Sequence, residues 1–292
     1  MNMLRRRLLQ TSLAGVLAGS INLPLMSAPT RKVRLKKAVK FSMIKAPSIM
    51  ERFELAKKCG FMGVEIDSPN ELDRTEMVQA RDKTGIVIHG TIDSVHWNKR
   101  LSDPNPEVRA QGLEALKIAM NDAKFYEADT CLLVPGAVKN KETENFDQCW
   151  ERSTAEIKKV LPLAEKLNIK IAIEVVWNDF LTTPEMLIKY VDQFQSPWVG
   201  AYFDASNMMK YGVPSEEWIR KLGKRMLKLD FKGYHHDRKW VKIGEGSENW
   251  PAILQACEEV GYNSWATAEV PGGGKKELMD ISRRMDKILE LT

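Results

Sequence analysis

Residues 169–204 read IKIAIEVVWNDFLTTPEMLIKYVDQFQSPWVGAYFD, and the stretch contains one complete unit of the architecture. An apolar run at 169–175 carries Glu174 near its end. Thr182 or Thr183 before Pro184 marks a helix start, a helix-like pattern fills 184–194, and a second apolar run at 199–204 closes on Asp204. Short apolar runs between turn residues read as strands. Threonine followed by proline suits the first turn of a helix, where the amide that proline lacks has no partner to lose.

The same rhythm extends in both directions. Strand-like runs at 38–44, 63–66, 86–89, 130–134, 226–231 and 265–270 bring the count to eight. Helix-like patterns at 49–59, 70–84, 106–126, 146–167, 215–222, 250–260 and 275–289 stand between or after them. Gly60 and Gly261 each end a helix where a left-handed residue fits, and Ser215 before two glutamates reads as another helix start. Eight strands, each followed by a helix, predict a (β/α)8 or TIM barrel, whereas a doubly wound sheet usually stops at fewer strands. The chain has 292 residues, 43% of them hydrophobic, and no linker divides it, so one barrel domain over 29–292 accounts for its length.

In this fold the chemistry gathers at the C-terminal ends of the strands. Four acids stand there on consecutive strands: Glu174, Asp204, Asp230 within Leu229-Asp230-Phe231-Lys232, and Glu269. Converging carboxylates repel one another and lose hydration, so they need a cation or shared protons. An all-oxygen set suits Mn²⁺ or Mg²⁺, with Co²⁺ or Zn²⁺ as alternatives. His89 and His96 fall at and after the third strand and are expected at the pocket mouth. Trp97, Trp177, Phe203 and Trp240 offer flat apolar faces near the strand ends.

Glu174, the Asp204-x-x-Asn207 motif, Leu229-Asp230-Phe231-Lys232, Gly244-Glu245-Gly246 followed by Trp250, and Glu269 together resemble the xylose-isomerase-like barrel superfamily of sugar phosphate isomerases and epimerases. The resemblance runs from about Lys36 to the end, with Gly60-Phe61-Met62-Gly63-Val64-Glu65 similar to its second strand. It implies a divalent metal held by Glu174, Asp204, Asp230 and Glu269, with Asp230 where the epimerase branch has histidine. It also implies a sugar isomerase or ketose 3-epimerase that moves a proton through an enediolate. Glu174 and Glu269 are expected on opposite sides of the ring of strands as the two acid–base groups. Trp177, Asn207 (where many relatives carry histidine), Lys232, His236 and Arg238 are expected to hold substrate. An inosose-dehydratase-like lyase on the same metal site, or an exported sugar-binding barrel without catalysis, are the other readings. The superfamily's endonuclease branch needs several histidines for a metal cluster, and this chain has only 4. A homodimer or homotetramer would be in keeping with the family.

Arg6-Arg7 before a short apolar run and Ser27-Ala28 resembles a twin-arginine signal peptide over 1–28, which predicts a periplasmic protein with no stable membrane span. The net charge of +5 owes three units to Arg5, Arg6 and Arg7. A second basic cluster, Arg31, Lys32, Arg34, Lys36, Lys37 and Lys40, reads as a solvated arm, so the charge does not call for a nucleic-acid partner and a small carbohydrate or polyol is expected instead. Cys59, Cys131, Cys149 and Cys257 have no metal-site spacing and read as buried thiols. Pro271-Gly272-Gly273-Gly274 reads as a flexible segment beside Glu269.

Overall fold

A computed structural model of the chain describes residues 34–290; the proposed signal segment, with Arg31 and Lys32, lies outside the described residues. The barrel strands are β1 (Lys36–Lys40), β2 (Gly63–Ser68), β3 (Val87–Asp93), β4 (Thr130–Leu133), β5 (Lys170–Glu174), β6 (Val199–Asp204) and β7 (Met226–Phe231). A small antiparallel hairpin follows, β8 (Tyr234–His235) and β9 (Lys239–Trp240), and β10 (Trp265–Ala268) completes the barrel. All eight barrel strands pair in parallel, in the closed order β1-β10-β7-β6-β5-β4-β3-β2. The helices are α1 (Ile49–Lys58), α2 (Arg74–Thr84), α3 (Pro106–Phe125), α4 (Phe146–Leu167), α5 (Pro184–Asp192), α6 (Ser215–Leu222), α7 (Trp250–Val260) and α8 (Lys275–Leu289). None of the described helices is long and apolar enough to cross a membrane.

Local signals act as their chemistry requires. Thr183 caps α5, its hydroxyl accepting the Met186 amide, with Pro184 in the first turn. Gly60 and Gly261 take φ of 83° and 73°, a region closed to most side chains. Ser215, read as a helix start, is the first residue of α6 and donates its hydroxyl to the Ala205 carbonyl. All four cysteines are buried and unpaired.

Strand residues alternate between two environments. Those facing outward join the apolar layer beneath the helices. Inside the barrel, Leu132, Ala172 and Tyr202 form a small apolar group with Ile92 against it. Charged groups occupy much of the remaining interior, and here two expectations fail. Among the described residues of the basic cluster, Arg34 and Lys36 are exposed, but Lys37 and Lys40 lie in β1 and are buried instead of belonging to a solvated arm. Lys37 reaches Asp286 and the Ser282 hydroxyl on α8, while Lys40 points into the barrel. The second failure is the end of the third strand. β3 continues four residues past His89, so the histidine lies deep in the barrel, stacked on Trp265 with ring centroids 4.7 Å apart. Burial, with the nearby ammoniums of Lys228 and Lys40, keeps His89 uncharged, well below the usual imidazole range.

The Pro271–Gly274 segment is tied down rather than loose. The Gly273 amide donates to the Met43 carbonyl at 2.9 Å, and the Lys45 amide donates back to the Gly273 carbonyl at 3.0 Å.

Candidate active site

Glu174 ends β5, Asp204 ends β6, Asp230 is the fifth residue of β7 and Glu269 directly follows β10. Since β5, β6, β7 and β10 are adjacent in the barrel, the acids form an arc, and one oxygen from each lies within 4.8 Å of the others. The expectation that Glu174 and Glu269 face each other across the ring is therefore corrected: only β6 and β7 separate their strands. The Ser206 and Asn207 amides each donate to Asp204 Oδ1 at 2.7 Å, which fixes that carboxylate and leaves Asp204 Oδ2 without a hydrogen bond. Tyr202 donates to Asp230 Oδ1 at 2.9 Å, and Asp230 Oδ2 likewise makes no hydrogen bond.

Two ammonium groups penetrate this acidic arc. Lys232 lies 3.0 Å from Asp204 and 3.2 Å from Glu269. Lys40, on the far side, is 2.5 Å from Glu65, 3.0 Å from Asp230 and 3.9 Å from Glu269. Gly90 makes room for Glu65, since a Cβ there would sit 2.7 Å from Glu65 Oε1. Five carboxylates thus meet two ammoniums, and the charges separate unevenly. Burial and the nearby Glu269 charge raise Glu174 to about 8, while Glu269 is held near 2 because Lys40 and Lys232 outweigh its burial. Lys232, despite burial, is kept charged by Asp204, Glu269 and Glu174.

The residue types fit a hard divalent ion. Oxygen ligands at about 2.0–2.6 Å from one centre stand no more than roughly 4–5 Å apart, the spacing these four carboxylates already have. The second oxygens of Asp204 and Asp230 are held only by ion pairs, each 3.0 Å from a lysine ammonium, Lys232 and Lys40 respectively.

A cavity of about 370 Å³ opens above the arc, lined by Lys40, Asp67, Asp93, His96, Trp97, Glu174, Trp177, Asn207, Lys232, Trp240 and Glu269 among others. Of the residues expected to hold substrate, it gathers His96, Trp177, Asn207 and Lys232. Asn207 is largely an adapter: its amide nitrogen is 3.5 Å from Glu174 Oε1 and its Oδ1 accepts from Lys232 at 3.3 Å. Trp177 donates to the Asn207 carbonyl at 2.6 Å and stacks on Trp240 with centroids 4.8 Å apart. His96 accepts the Val134 amide on Nδ1 at 3.5 Å, and burial lowers it to about 4, so it stays neutral. His89 does not reach the cavity. His236 and Arg238 are exposed on the β8–β9 turn outside its lining, the Arg238 guanidinium donating to the Glu245 carbonyl at 3.2 Å. Phe203 faces outward onto Trp218.

Sequence reading missed Lys40, Glu65 and Asp93. For Asp93 a signal was present, since Gly90-Thr91-Ile92-Asp93 prolongs the strand to an acid, the pattern of β5 and β6. Asp93 is fully buried, accepts the Val95 amide on Oδ1 at 3.2 Å, and leaves Oδ2 unpaired. Burial raises its carboxyl to about 7. The native state therefore holds this proton more tightly than the unfolded chain, a contribution complete below pH 4 and lost as pH rises towards 7. Asp93→Asn keeps the Oδ1 acceptor and cannot ionise. We expect it to match the parent near pH 4 and to exceed it by on the order of 2–4 kcal/mol at pH 8 in urea unfolding. An equal gain at both pH values would show that Asp93 does not titrate in this range.

The fold and these residues define a (β/α)8 barrel with an acidic, metal-competent centre at its C-terminal mouth. The family model for the xylose isomerase-like TIM barrel matches residues 53–288, and the chain belongs to that family. L-ribulose-5-phosphate 3-epimerase UlaE of Escherichia coli O1:K1 is 26% identical over 258 residues, covering 82% of this chain and 90% of its own. The solved D-tagatose 3-epimerase-like protein superimposes with a TM-score of 0.77 at 19% identity, covering 88% of this chain and 98% of its own. The 3-keto-D-glucoside 4-epimerase YcjR of E. coli gives a TM-score of 0.73 at 13% identity, covering 87% and 98%.

Proposed function

We propose that the chain is a divalent-metal-dependent sugar isomerase or ketose 3-epimerase, with Mn²⁺ or Mg²⁺ held by Glu174, Asp204, Asp230 and Glu269. The observation that carries this reading is the meeting of four strand-end carboxylates within 4.8 Å at the base of a cavity of sugar size. The 26% identical L-ribulose-5-phosphate 3-epimerase supports the same reaction class.

Held by these carboxylates, a divalent ion would supply the Lewis acidity that polarises the carbonyl of a hydroxy-ketone and acidifies the neighbouring C–H. Glu174, buried at the end of β5, would exchange the proton at that carbon from one face. Glu269 would exchange it from the other face, giving epimerisation through an enediolate, and Lys232, 3.2 Å from Glu269, would hold a substrate oxygen. Asn207 keeps the Glu174 carboxylate turned towards the cavity. Export by a twin-arginine route belongs to the same reading and is tested by fractionating cells that express the full chain with Arg6 and Arg7 intact or replaced by lysine.

Elemental analysis of purified protein is expected to find about one Mn, Mg, Co or Zn per chain, lost in Asp230→Ala and weakened in Glu174→Gln. The loaded protein is expected to exchange solvent deuterium into a ketose at the carbon beside the carbonyl. Protein that stays metal-free after incubation with Mn²⁺ would defeat the proposal.

A further inference from the structure

Lys40 enters the carboxylate arc from β1, with β10 between its strand and the one that carries Asp230. Its ammonium stands 3.0 Å from Asp230 Oδ2 and 3.9 Å from Glu269 Oε2, against two of the four carboxylates that come together at the strand ends. On its other sides are Glu65 Oε2 of neighbouring β2, at 2.5 Å, and the Tyr202 ring, whose centroid lies 4.7 Å away. Glu65, Asp230 and Tyr202 are all fully buried, so Lys40 is anchored to groups that cannot follow it into solvent.

Glu65 has no place of its own in the arc. It belongs neither to the group of four converging carboxylates nor to the cavity lining, and its Oε1 makes no hydrogen bond. The Tyr202 hydroxyl, 3.0 Å from Glu65 Oε2 and 2.9 Å from Asp230 Oδ1, bridges the two carboxylates that Lys40 joins. Packing does not account for such a pair, because apolar groups of similar volume are usually as stabilising as a buried ion pair or more so. Its electrostatic effect on the arc does. A fixed cation beside Asp230 Oδ2 repels an arriving divalent ion and competes with it for that oxygen; without Lys40 the arc would be one unit more negative and would hold the ion more tightly.

We propose that Lys40 and Glu65 form a built-in counter-ion pair that sets how tightly the arc holds its divalent ion. Lys40 balances Asp230 when no ion is bound and keeps a bound ion exchangeable, while Glu65 moderates the Lys40 charge; neither residue ligates. This rests on the divalent-metal reading above and adds to it the control of affinity.

The test uses Mn²⁺ alone and no substrate. The full chain, Lys40→Met, Glu65→Gln and the double variant are titrated with Mn²⁺, the free ion being followed by electron paramagnetic resonance. Lys40→Met is expected to bind Mn²⁺ about tenfold tighter or more, Glu65→Gln to bind it weaker by a similar factor, and the double variant to lie near the parent. Opposite signs mark a charge effect, since a pair that only held Asp230 in position would weaken Mn²⁺ binding in both single variants. Circular dichroism verifies folding, and Glu65→Gln carries the test by itself if Lys40→Met does not fold. Urea unfolding at one fixed Mn²⁺ concentration gives a second readout: the ion should stabilise Lys40→Met more than it stabilises the parent. A folded Lys40→Met that binds no tighter, or a Glu65→Gln that binds no weaker, overturns the proposal and leaves the metal reading intact. A parent that binds no Mn²⁺ beside a Lys40→Met that does keeps the counter-ion role and fails the metal-dependent reading. Absence of binding in all four proteins defeats both.

Discussion

Glu174→Gln is expected to lower kcat for proton exchange by about 10²- to 10⁴-fold at saturating Mn²⁺, with KM changed far less. The range is what a positioned acid–base group contributes to a proton transfer. Glutamine retains the shape and one oxygen, so Asn207 can still contact it and the cavity keeps its form. It cannot accept a proton. Saturating metal is specified because the same residue is a proposed ligand, and weakened metal affinity would otherwise mimic lost chemistry. Single-turnover exchange in deuterated solvent is the measurement. An unchanged kcat would remove Glu174 from the proton path and transfer the base role to another cavity group.

Lys40→Met is expected to cost about 3–5 kcal/mol of folding stability, the scale for stranding a buried charge by deleting its partner. Lys40 is fully engaged in the interior, 2.5 Å from Glu65 and 3.0 Å from Asp230, with its ammonium 4.7 Å from the Tyr202 ring centroid. Its proton affinity is raised well above the ordinary lysine value, since Asp230, Glu65 and Glu269 outweigh the cost of burial. Methionine matches the stem in length and removes only the charge. The double variant Lys40→Met, Glu65→Gln should recover part of the loss, because the stranded carboxylate is then neutral. A urea-unfolding cycle over the four proteins gives the coupling. Additive losses would mean that Glu65 and Lys40 do not stabilise each other, whatever their distance.

The barrel was legible because its evidence is local and repeated. Each strand announces itself as a short apolar run, and each helix by its cap and its spacing, so the count of eight survives errors of several residues at the ends. The four acids were legible for the same reason: Glu174, Asp204, Asp230 and Glu269 stand at or near the ends of consecutive runs, and the fold places strand ends together. The substrate-side residues fared unevenly. Trp177, Asn207 and Lys232 follow directly after strands and fall in the cavity. His236 and Arg238 are carried past it by the β8–β9 hairpin, which nothing in the apolar pattern announces.

Lys40 and Asp93 illustrate what the pattern does not contain. Side chains alternate between the two faces of a strand with a period of two, so a small misjudgement of where a strand begins or stops turns an interior residue into an exterior one. Lys40 lay inside the run at 38–44 yet was counted with the basic cluster before it, and ending β3 at His89 left Asp93 in a loop. The sequence alone determined that this is an eight-stranded barrel with four acids at adjacent strand ends and cysteines without metal spacing. Tertiary structure decided which charges meet. Lys40 and the Tyr202 hydroxyl are 162 residues apart in the chain and 3.4 Å apart in the barrel, a contact that exists only after β1 closes on β10 and excludes water from the interior. Only in that low-dielectric space do a lysine, three nearby carboxylates and an unpaired Asp93 become a site, because there each charge must find a partner or a ligand instead of a hydration shell.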